Sequence, residues 1–97
     1  MNFSFHPEAE EEFNQAIDYY NDVEQGLGDD FAYEIYTSIR RVVEFPKAWP
    51  VLEDEVRRSL VKRFPYGVIY SEEQNGIFIL AVMNLHRDPD YWKDRER

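Results

Sequence analysis

The sequence predicts an α+β fold, in which an N-terminal strand and an antiparallel two-helix hairpin pack on an antiparallel sheet that ends in a three-strand meander. Apolar residues recur at the helical period in the first half of the chain, and they alternate or run continuously in the second half. Asn75-Gly76 is a strong signal for a tight hairpin turn between two strands. Because 97 residues supply one modest core, we expect residues 1–97 to form a single domain.

The first strand and the first helix are predicted from the first 28 residues. Phe3 and Phe5 alternate with polar residues, which favours a short strand over residues 1–5. Pro7 is tolerated at the first position of a helix, and acidic residues crowd the turn that follows. The apolar stripe of this helix is Ala9, Phe13, Ala16, Ile17 and Tyr20. The GLG segment at residues 26–28 then ends the helix.

A second helix is predicted directly after the GLG segment. Asp29 and Asp30 offer an N-cap, and Pro46 stops the helix. Its apolar stripe is Phe31, Ile35, Ile39 and either Val42 or Val43, with Arg40 and Arg41 near the C-terminal end. Since a short loop joins two helices that each have one apolar face, we expect an antiparallel hairpin packed on a flat partner.

The flat partner is predicted to be the three-strand meander. Residues 46–54, PKAWPVLED, contain two prolines and indicate a surface loop with Trp49 turned inward. Strands are predicted at Glu55 to Phe64, Val68 to Glu72 and Ile77 to Met83. The last of these is nearly continuously apolar, as expected of a central strand covered on both faces. Asp88-Pro89 then predicts a short terminal helical turn through Tyr91 and Trp92.

Charge and composition narrow the classes of function. The formal net charge is −9, and residues 1–39 contain ten acids and no Lys or Arg, whereas the remainder carries a net charge of +1. The first part repels nucleic acid and anionic membrane, while the second could present a local basic face. The sequence has neither a membrane-length apolar run nor a signal-peptide pattern, so we expect a cytoplasmic protein with no membrane partner. Without cysteine there are no disulfides and no thiolate chemistry.

Few motifs indicate a known chemistry. The sequence contains no GxSxG and no Walker-type glycine loop, and the GLG segment lacks the third glycine of a dinucleotide site. His6 and His86 are far apart in sequence, so we expect no metal site and no cofactor. Glu10, Glu11 and Glu12 fall in an exposed first turn, where dipole compensation explains them better than acid catalysis does.

Cations and aromatic residues of two segments are the remaining candidates for a site. Four cations fall on one predicted strand: Arg57, Arg58, Lys62 and Arg63. Alternation would send Arg58 and Lys62 to one face and the other two to the opposite face. Such cations could hold a phosphate backbone or the acidic residues of a protein partner, and Tyr91 and Trp92 could stack on a base. Alternatively, the arginines cover apolar neighbours and prevent edge pairing.

The motifs from about Ala9 to Arg95 form one combined pattern. An acidic helix with a YY pair is followed by GLGDDF, a WP loop, an arginine-rich strand, RFPYGVIY, IFILAV and HRDPDYW. This pattern resembles the RelE/ParE superfamily of bacterial toxins. The resemblance implies the toxin of a type II toxin–antitoxin pair, with a cognate antitoxin that wraps it. It also implies two helices on a twisted antiparallel sheet, with the concave sheet face and the C-terminal end as the working region.

The superfamily contains two kinds of toxin. RelE-like members cleave messenger RNA on the ribosome without a metal, by means of several cations and a proton-transfer group, whereas ParE-like members inhibit DNA gyrase. In RelE-like members a cation is expected at the position of Gly67 and another near that of Leu85, so this chain departs from the pattern at both. Many relatives also have His where this chain has Asn84. Catalytic roles are implied only for a ribonuclease, and they would fall to Arg58, Arg87 and Tyr91.

The RFPY and PxYW motifs fit the ParE-like branch better. We therefore expect a plasmid-stabilisation toxin that is non-catalytic or weakly catalytic, with DNA gyrase as the favoured target. Its target- or antitoxin-binding residues would be Arg57, Arg58, Lys62, Arg63, His86, Arg87, Tyr91 and Trp92. Two alternatives stay open: a RelE-like, ribosome-dependent mRNA endonuclease, and a degenerate module that binds an antitoxin without toxicity. The target, the identity of the antitoxin, and whether the chain forms a homodimer also stay open.

Overall fold

The structure, a computed structural model, describes residues 2–95, which form two helices and a five-stranded sheet. The elements are β1 (Asn2–Phe5), α1 (Pro7–Val23), α2 (Leu27–Glu44), β2 (Val51–Glu53), β3 (Val56–Leu60), β4 (Tyr66–Glu73) and β5 (Gly76–Asn84). The strand order is β1-β5-β4-β3-β2, with β1 parallel to β5 and the other pairs antiparallel. The predicted α+β fold is confirmed, and β2 is an additional short strand within the predicted loop. Met1, part of the predicted first strand, lies outside the described residues.

The first helix begins where the sequence predicts. Pro7 occupies its first turn, and the Nδ1 atom of His6 accepts a hydrogen bond of 3.1 Å from the N–H of Glu8. Ala9, Phe13 and Ala16 are buried along the predicted stripe. They pack with residues of α2, β4 and β5 in the larger of two apolar clusters.

The second helix begins earlier than predicted. Its N-cap is Gly26, at a φ of 89°, so the prediction that Asp29 and Asp30 cap the helix was wrong, and both lie in its first turn. The reason is a close contact between the helices at Gly28. A Cβ there would collide with the carbonyl oxygen of Ile17, and the N–H of Gly28 donates to Oδ1 of Asn21 at 2.7 Å. This contact requires residue 28 to be inside the helix already.

The third strand ends earlier than predicted. β3 stops at Leu60, and the chain turns through Arg63, whose φ is 72°, so that Phe64 enters the core. Lys62 and Arg63 are therefore outside the strand, and the alternation predicted for these two residues was wrong. Arg57 and Arg58 remain within β3, where alternation does place them on opposite faces.

The β4–β5 hairpin turn is shifted by one residue from the predicted position. Gln74 and Asn75 form the turn, and Gly76, at a φ of 138°, is the first residue of β5. Gly76 pairs with Asn2 of β1, and a Cβ at this position would collide with the carbonyl oxygen of Asn2. Glycine is needed here both for its backbone conformation and for the close approach of β1.

β5 is buried on both faces, as predicted for a central strand. One face packs on the helices; the opposite face, here called the distal face, carries a second apolar cluster of Ile69, Leu80, Ala81, Met83 and Trp92. Ile69 pairs with Ala81 while Tyr70 pairs with Ile79, so Leu80 is an extra residue, a β-bulge. The bulge allows Leu80 and its neighbour Ala81 to pack in the same distal cluster.

After β5 the chain follows the distal face through a series of turns. The N–H of Tyr91 donates to the carbonyl of Asp88 at 3.3 Å, and Oδ1 of Asp88 accepts from the N–H of Asp90 at 3.0 Å. The predicted terminal segment is thus built of hydrogen-bonded turns rather than a regular helix. Within residues 2–95, neither helix is long and apolar enough to span a membrane.

Candidate functional site

Arg58 lies on the distal face beside two residues that are far apart in sequence. It pairs across the sheet with Ile69, a member of the distal cluster. A Cβ on Gly67 would lie 3.3 Å from Cγ and Cδ of Arg58 and 3.6 Å from Cδ2 of Leu85. Three of the positions at which the RelE-like pattern expects a cation therefore meet in space, and Arg87, at a fourth such position, lies elsewhere. Arg58 is the one cation among the three.

The Arg58 guanidinium has no hydrogen bond or ion pair with any other residue in the described range. Arg58 lines a small pocket of about 140 Å³ on the distal face. Leu52, Met83, Pro89 and Trp92 form apolar walls of this pocket, and Glu53, Asp90 and Lys93 add charged groups. Lys93 pairs with both carboxylates, at 2.8 Å from Glu53 and 3.1 Å from Asp90.

Two of the other predicted binding cations have partners within the fold. Arg57 lies on the helix face and donates from Nη1 to the carbonyl oxygens of Trp49, at 2.6 Å, and Lys47, at 3.3 Å. It therefore fastens the loop that follows α2. Nη2 of Arg63 lies 3.6 Å from Oδ2 of Asp30, and the Arg63 guanidinium carbon lies 5.5 Å from the centroid of the Phe64 ring. Lys62 is exposed and has no ion pair with the rest of the described chain.

Arg87 and Tyr91 form a second group at the outer edge of β5. The Arg87 guanidinium carbon is 3.8 Å from the centroid of the Tyr91 ring, and the Arg95 guanidinium carbon is 4.9 Å from the same centroid. Nη1 of Arg87 also lies 3.5 Å from Oε2 of Glu12. Tyr91 is thus held between two guanidinium groups, next to the Glu12 carboxylate.

The link between Glu12 and Arg95 arises because β1 covers only part of β5. The last paired residues are Phe5 and Ile79, so among residues 2–95 no strand neighbours the outer edge of β5 from Leu80 onward. Oε1 of Glu12 accepts from the N–H of Val82 at 3.1 Å, and Nη1 of Arg95 donates to the carbonyl of Leu80 at 2.9 Å. The two side chains thus satisfy backbone groups that would otherwise be left unpaired at the edge.

The electrostatics of this edge stabilise the protonated phenol of Tyr91. Burial raises the pKa of Tyr91 above its ordinary value, and the neighbouring Glu12 carboxylate raises it further. Hydrogen bonds to Glu12 also raise the pKa of Arg95. Near neutral pH, Tyr91 is therefore a poor proton acceptor.

The last two predicted site residues differ in exposure. Trp92 is only 4% exposed and belongs to the distal cluster, so its ring is not available to stack on a base. His86 is exposed, and its backbone N–H donates to Oδ1 of Asn84 at 2.9 Å. Asn84 therefore shapes the turn that follows β5. Within the described chain, no group of three or more His, Cys, Asp or Glu side chains is arranged to hold a metal ion.

Sequence reasoning missed Glu12 and Arg95 as structural residues. Glu12 was interpreted as an exposed residue, but its side chain is only 14% exposed and that of Arg95 only 9%. A signal for Glu12 is present, because it lies three residues after Ala9 and four before Ala16, at the flank of the apolar stripe. The sequence gives no comparable local signal for Arg95.

Comparison with known proteins gives one family and one fold. The family model of the ParE toxin of the type II toxin–antitoxin system, parDE, matches residues 3–89. A solved structure, the chromosomal ParDE TA system from P. aeruginosa, matches with a TM-score of 0.77 at 14% identity, over 89% of this chain and 97% of that chain. At this identity the likeness shows the fold alone. No curated protein matches the sequence significantly.

Proposed function

Because the chain belongs to the ParE family of type II toxins, we propose that it arrests growth by binding a protein target, DNA gyrase, and that a cognate antitoxin neutralises it. The supporting observation is that Arg58 and Leu85 both lie beside Gly67, so that neither neighbouring position supplies a second cation. Metal-independent RNA cleavage needs several cations around one phosphate, since they stabilise the charge that develops in the transition state. One cation at this position is a poor ribonuclease site.

The second group of residues also favours binding over catalysis. The Arg87 guanidinium is stacked on the Tyr91 ring, and the pKa of the Tyr91 phenol is raised, so this group is a poor base for a ribose hydroxyl. With a net charge of −9, the protein is repelled by RNA and by the ribosome, whereas binding to a protein target carries no such general penalty. A cytoplasmic location follows from the proposed target.

The test compares two activities of the purified protein. We expect it to inhibit DNA supercoiling by gyrase and to leave ribosome-bound messenger RNA intact. Tyr91→Phe should inhibit gyrase as well as the wild type does, because the Tyr91 hydroxyl is buried and the variant keeps the aromatic ring. Cleavage of the message without any effect on gyrase would overturn the proposal in favour of a ribonuclease.

Induction in bacterial cells without the antitoxin completes the test. We expect growth arrest and loss of DNA supercoiling, both of which co-expression of the antitoxin should reverse. Normal growth at a confirmed level of folded protein would instead indicate a module that binds an antitoxin without toxicity.

A further inference from the structure

The small pocket at Arg58 is lined by a cation without a partner. The Arg58 guanidinium is unpaired among residues 2–95 and half-buried. Leu52, Met83, Pro89 and Trp92 form apolar walls of the same pocket. A half-buried guanidinium beside apolar walls loses hydration without gaining a partner from the described chain. It therefore points to an anion that another molecule supplies.

We propose that this pocket, here called the Arg58 pocket, binds the side-chain carboxylate of an acidic residue of a partner protein. This inference rests on the proposed function, because it names the chemistry by which the toxin holds a protein partner. A guanidinium offers a planar pair of donors that matches the two oxygens of a carboxylate.

The size and the walls of the pocket fit one amino-acid side chain. Its volume of about 140 Å³ is well below the roughly 300 Å³ at which pockets for larger ligands begin. Leu52, Met83 and Pro89 are apolar, so they would contact the methylene groups of a glutamate while its carboxylate reaches Arg58.

The charges at the pocket favour a single carboxylate over a nucleic-acid backbone. Lys93 is already bonded to both Glu53 and Asp90, which leaves Arg58 as the unpaired cation of the described lining. One carboxylate can pair with Arg58 alone. An RNA segment would bring a negative charge with every nucleotide past Glu53 and Asp90, and these two carboxylates would repel it.

The test uses the full chain labelled with ¹⁵N and two neutral-backbone probes, N-acetylglutamic acid α-amide and its isostere N-acetylglutamine α-amide. The chain has two tryptophans, so the indole N–H signal of Trp49 serves as an internal control for that of Trp92. We expect the glutamate probe to shift the Trp92 signal in a saturable way and to leave the Trp49 signal in place. The glutamine probe should have no such effect.

Matched variants connect the shift to Arg58. Arg58→Gln should weaken binding of the glutamate probe by about tenfold or more, since a charge-assisted pair is lost. Arg58→Lys keeps the charge without the planar donors and should give a smaller loss. Lys62→Gln removes the same charge from an exposed residue outside the pocket and should bind the probe as the wild type does. Thermal unfolding confirms that each variant is folded.

Several results would overturn the inference. The first two are a Trp92 signal that the glutamate probe does not shift, and a Trp92 shift as large with the glutamine probe as with the glutamate probe. The third is a loss of probe binding in Lys62→Gln as large as that in Arg58→Gln. The fourth is Arg58-dependent binding of inorganic phosphate or a short single-stranded RNA that is tighter than binding of the glutamate probe. The gyrase assay separates this inference from the proposed function. Gyrase inhibition without probe binding would overturn the Arg58 pocket alone, and probe binding without gyrase inhibition would support the pocket and overturn gyrase as the target.

Discussion

Glu12 and Arg95, 83 residues apart in sequence, form an ion pair with two hydrogen bonds of 3.0 and 2.7 Å. The pair is largely closed to solvent, and the same two side chains bind backbone groups at the uncovered edge of β5. This contact therefore joins the C-terminal segment, α1 and the central strand at one point.

Removing one partner of this pair should destabilise the fold. We expect Glu12→Ala to lower the free energy of unfolding by about 3 kcal/mol, because Arg95 would keep a largely buried charge whose remaining ion pair in the described chain is the longer contact with Glu8, at 3.7 Å. The matched control is Glu11→Ala, since Glu11 is exposed and its side chain bonds to Gln15, at 3.0 Å; its effect should stay within about 0.5 kcal/mol. Urea denaturation followed by circular dichroism measures both. Equal effects would show that the pair contributes nothing beyond an exposed contact.

Gly76 and Gly26 both have positive φ, but they differ in the space around them. Gly76→Ala should cost about 3 kcal/mol, because the new Cβ would collide with Asn2 of β1 in addition to straining the backbone. Gly26→Ala should cost only about 1 kcal/mol, since no other atom lies within 4 Å of a Cβ there. Hydrogen exchange should show faster opening of β1 in Gly76→Ala alone. Equal losses of stability and equal exchange rates of β1 in the two variants would contradict the close approach of β1 to Gly76.

Ser38 of α2 and Ser59 of β3 share a buried hydrogen bond of 2.8 Å between their hydroxyl oxygens. Each single change to alanine should cost about 1–2 kcal/mol, because it leaves the other hydroxyl buried without its partner. The double change should cost less than the sum, with a coupling of about 1 kcal/mol. A double-mutant cycle by denaturation measures this coupling, and additive losses would show that the hydroxyls are independent.

Tyr70 makes stability depend on alkaline pH. Its hydroxyl donates to the carbonyl of Pro46 at 2.7 Å, and burial raises its pKa to about 12. The folded state keeps this proton while the unfolded chain loses it near pH 10, so the free energy of unfolding falls as the pH rises from about 10 to about 12. Tyr70→Phe should be about 1 kcal/mol less stable at about pH 8, from the lost hydrogen bond.

That deficit of Tyr70→Phe should shrink as the pH approaches about 11.5, because the variant has no phenol to ionise at this position. The measurement is denaturation of both proteins at a series of pH values. Tyr66→Phe serves as the comparison, since Tyr66 is partly exposed and has no hydrogen bond from its hydroxyl within the described chain. A deficit in Tyr70→Phe that stayed constant up to about pH 11.5 would contradict the proposed titration.

The parts of the fold that the sequence predicts well are those with a local cause. The apolar stripes of the two helices and the continuous apolar run of β5 follow from which side chains are buried, and a few neighbouring residues reveal this. The parallel pairing of β1 with β5 depends on residues more than 70 positions apart, and the bulge at Leu80 depends on the register of β4 against β5. Short segments of sequence carry no signal for such contacts.

The same distinction applies to the candidate site. Alternation correctly separates Arg57 from Arg58, because both lie in a regular strand. It fails for Arg63, where a positive φ redirects the chain. The meeting of Gly67 with Leu85 beside Arg58 could not be read from the residues themselves, because it requires the register of β3, β4 and the turn after β5.

The position of β5 has a consequence for how the protein is made. β5, residues 76–84, lies between β1 and β4, and it is synthesised after every other helix and strand of residues 2–95. Until it emerges, the two amphipathic helices have no completed sheet on which to pack, and β1 has no strand to pair with. Translation that stops before residue 76 should therefore leave an unfolded fragment that cellular proteases remove.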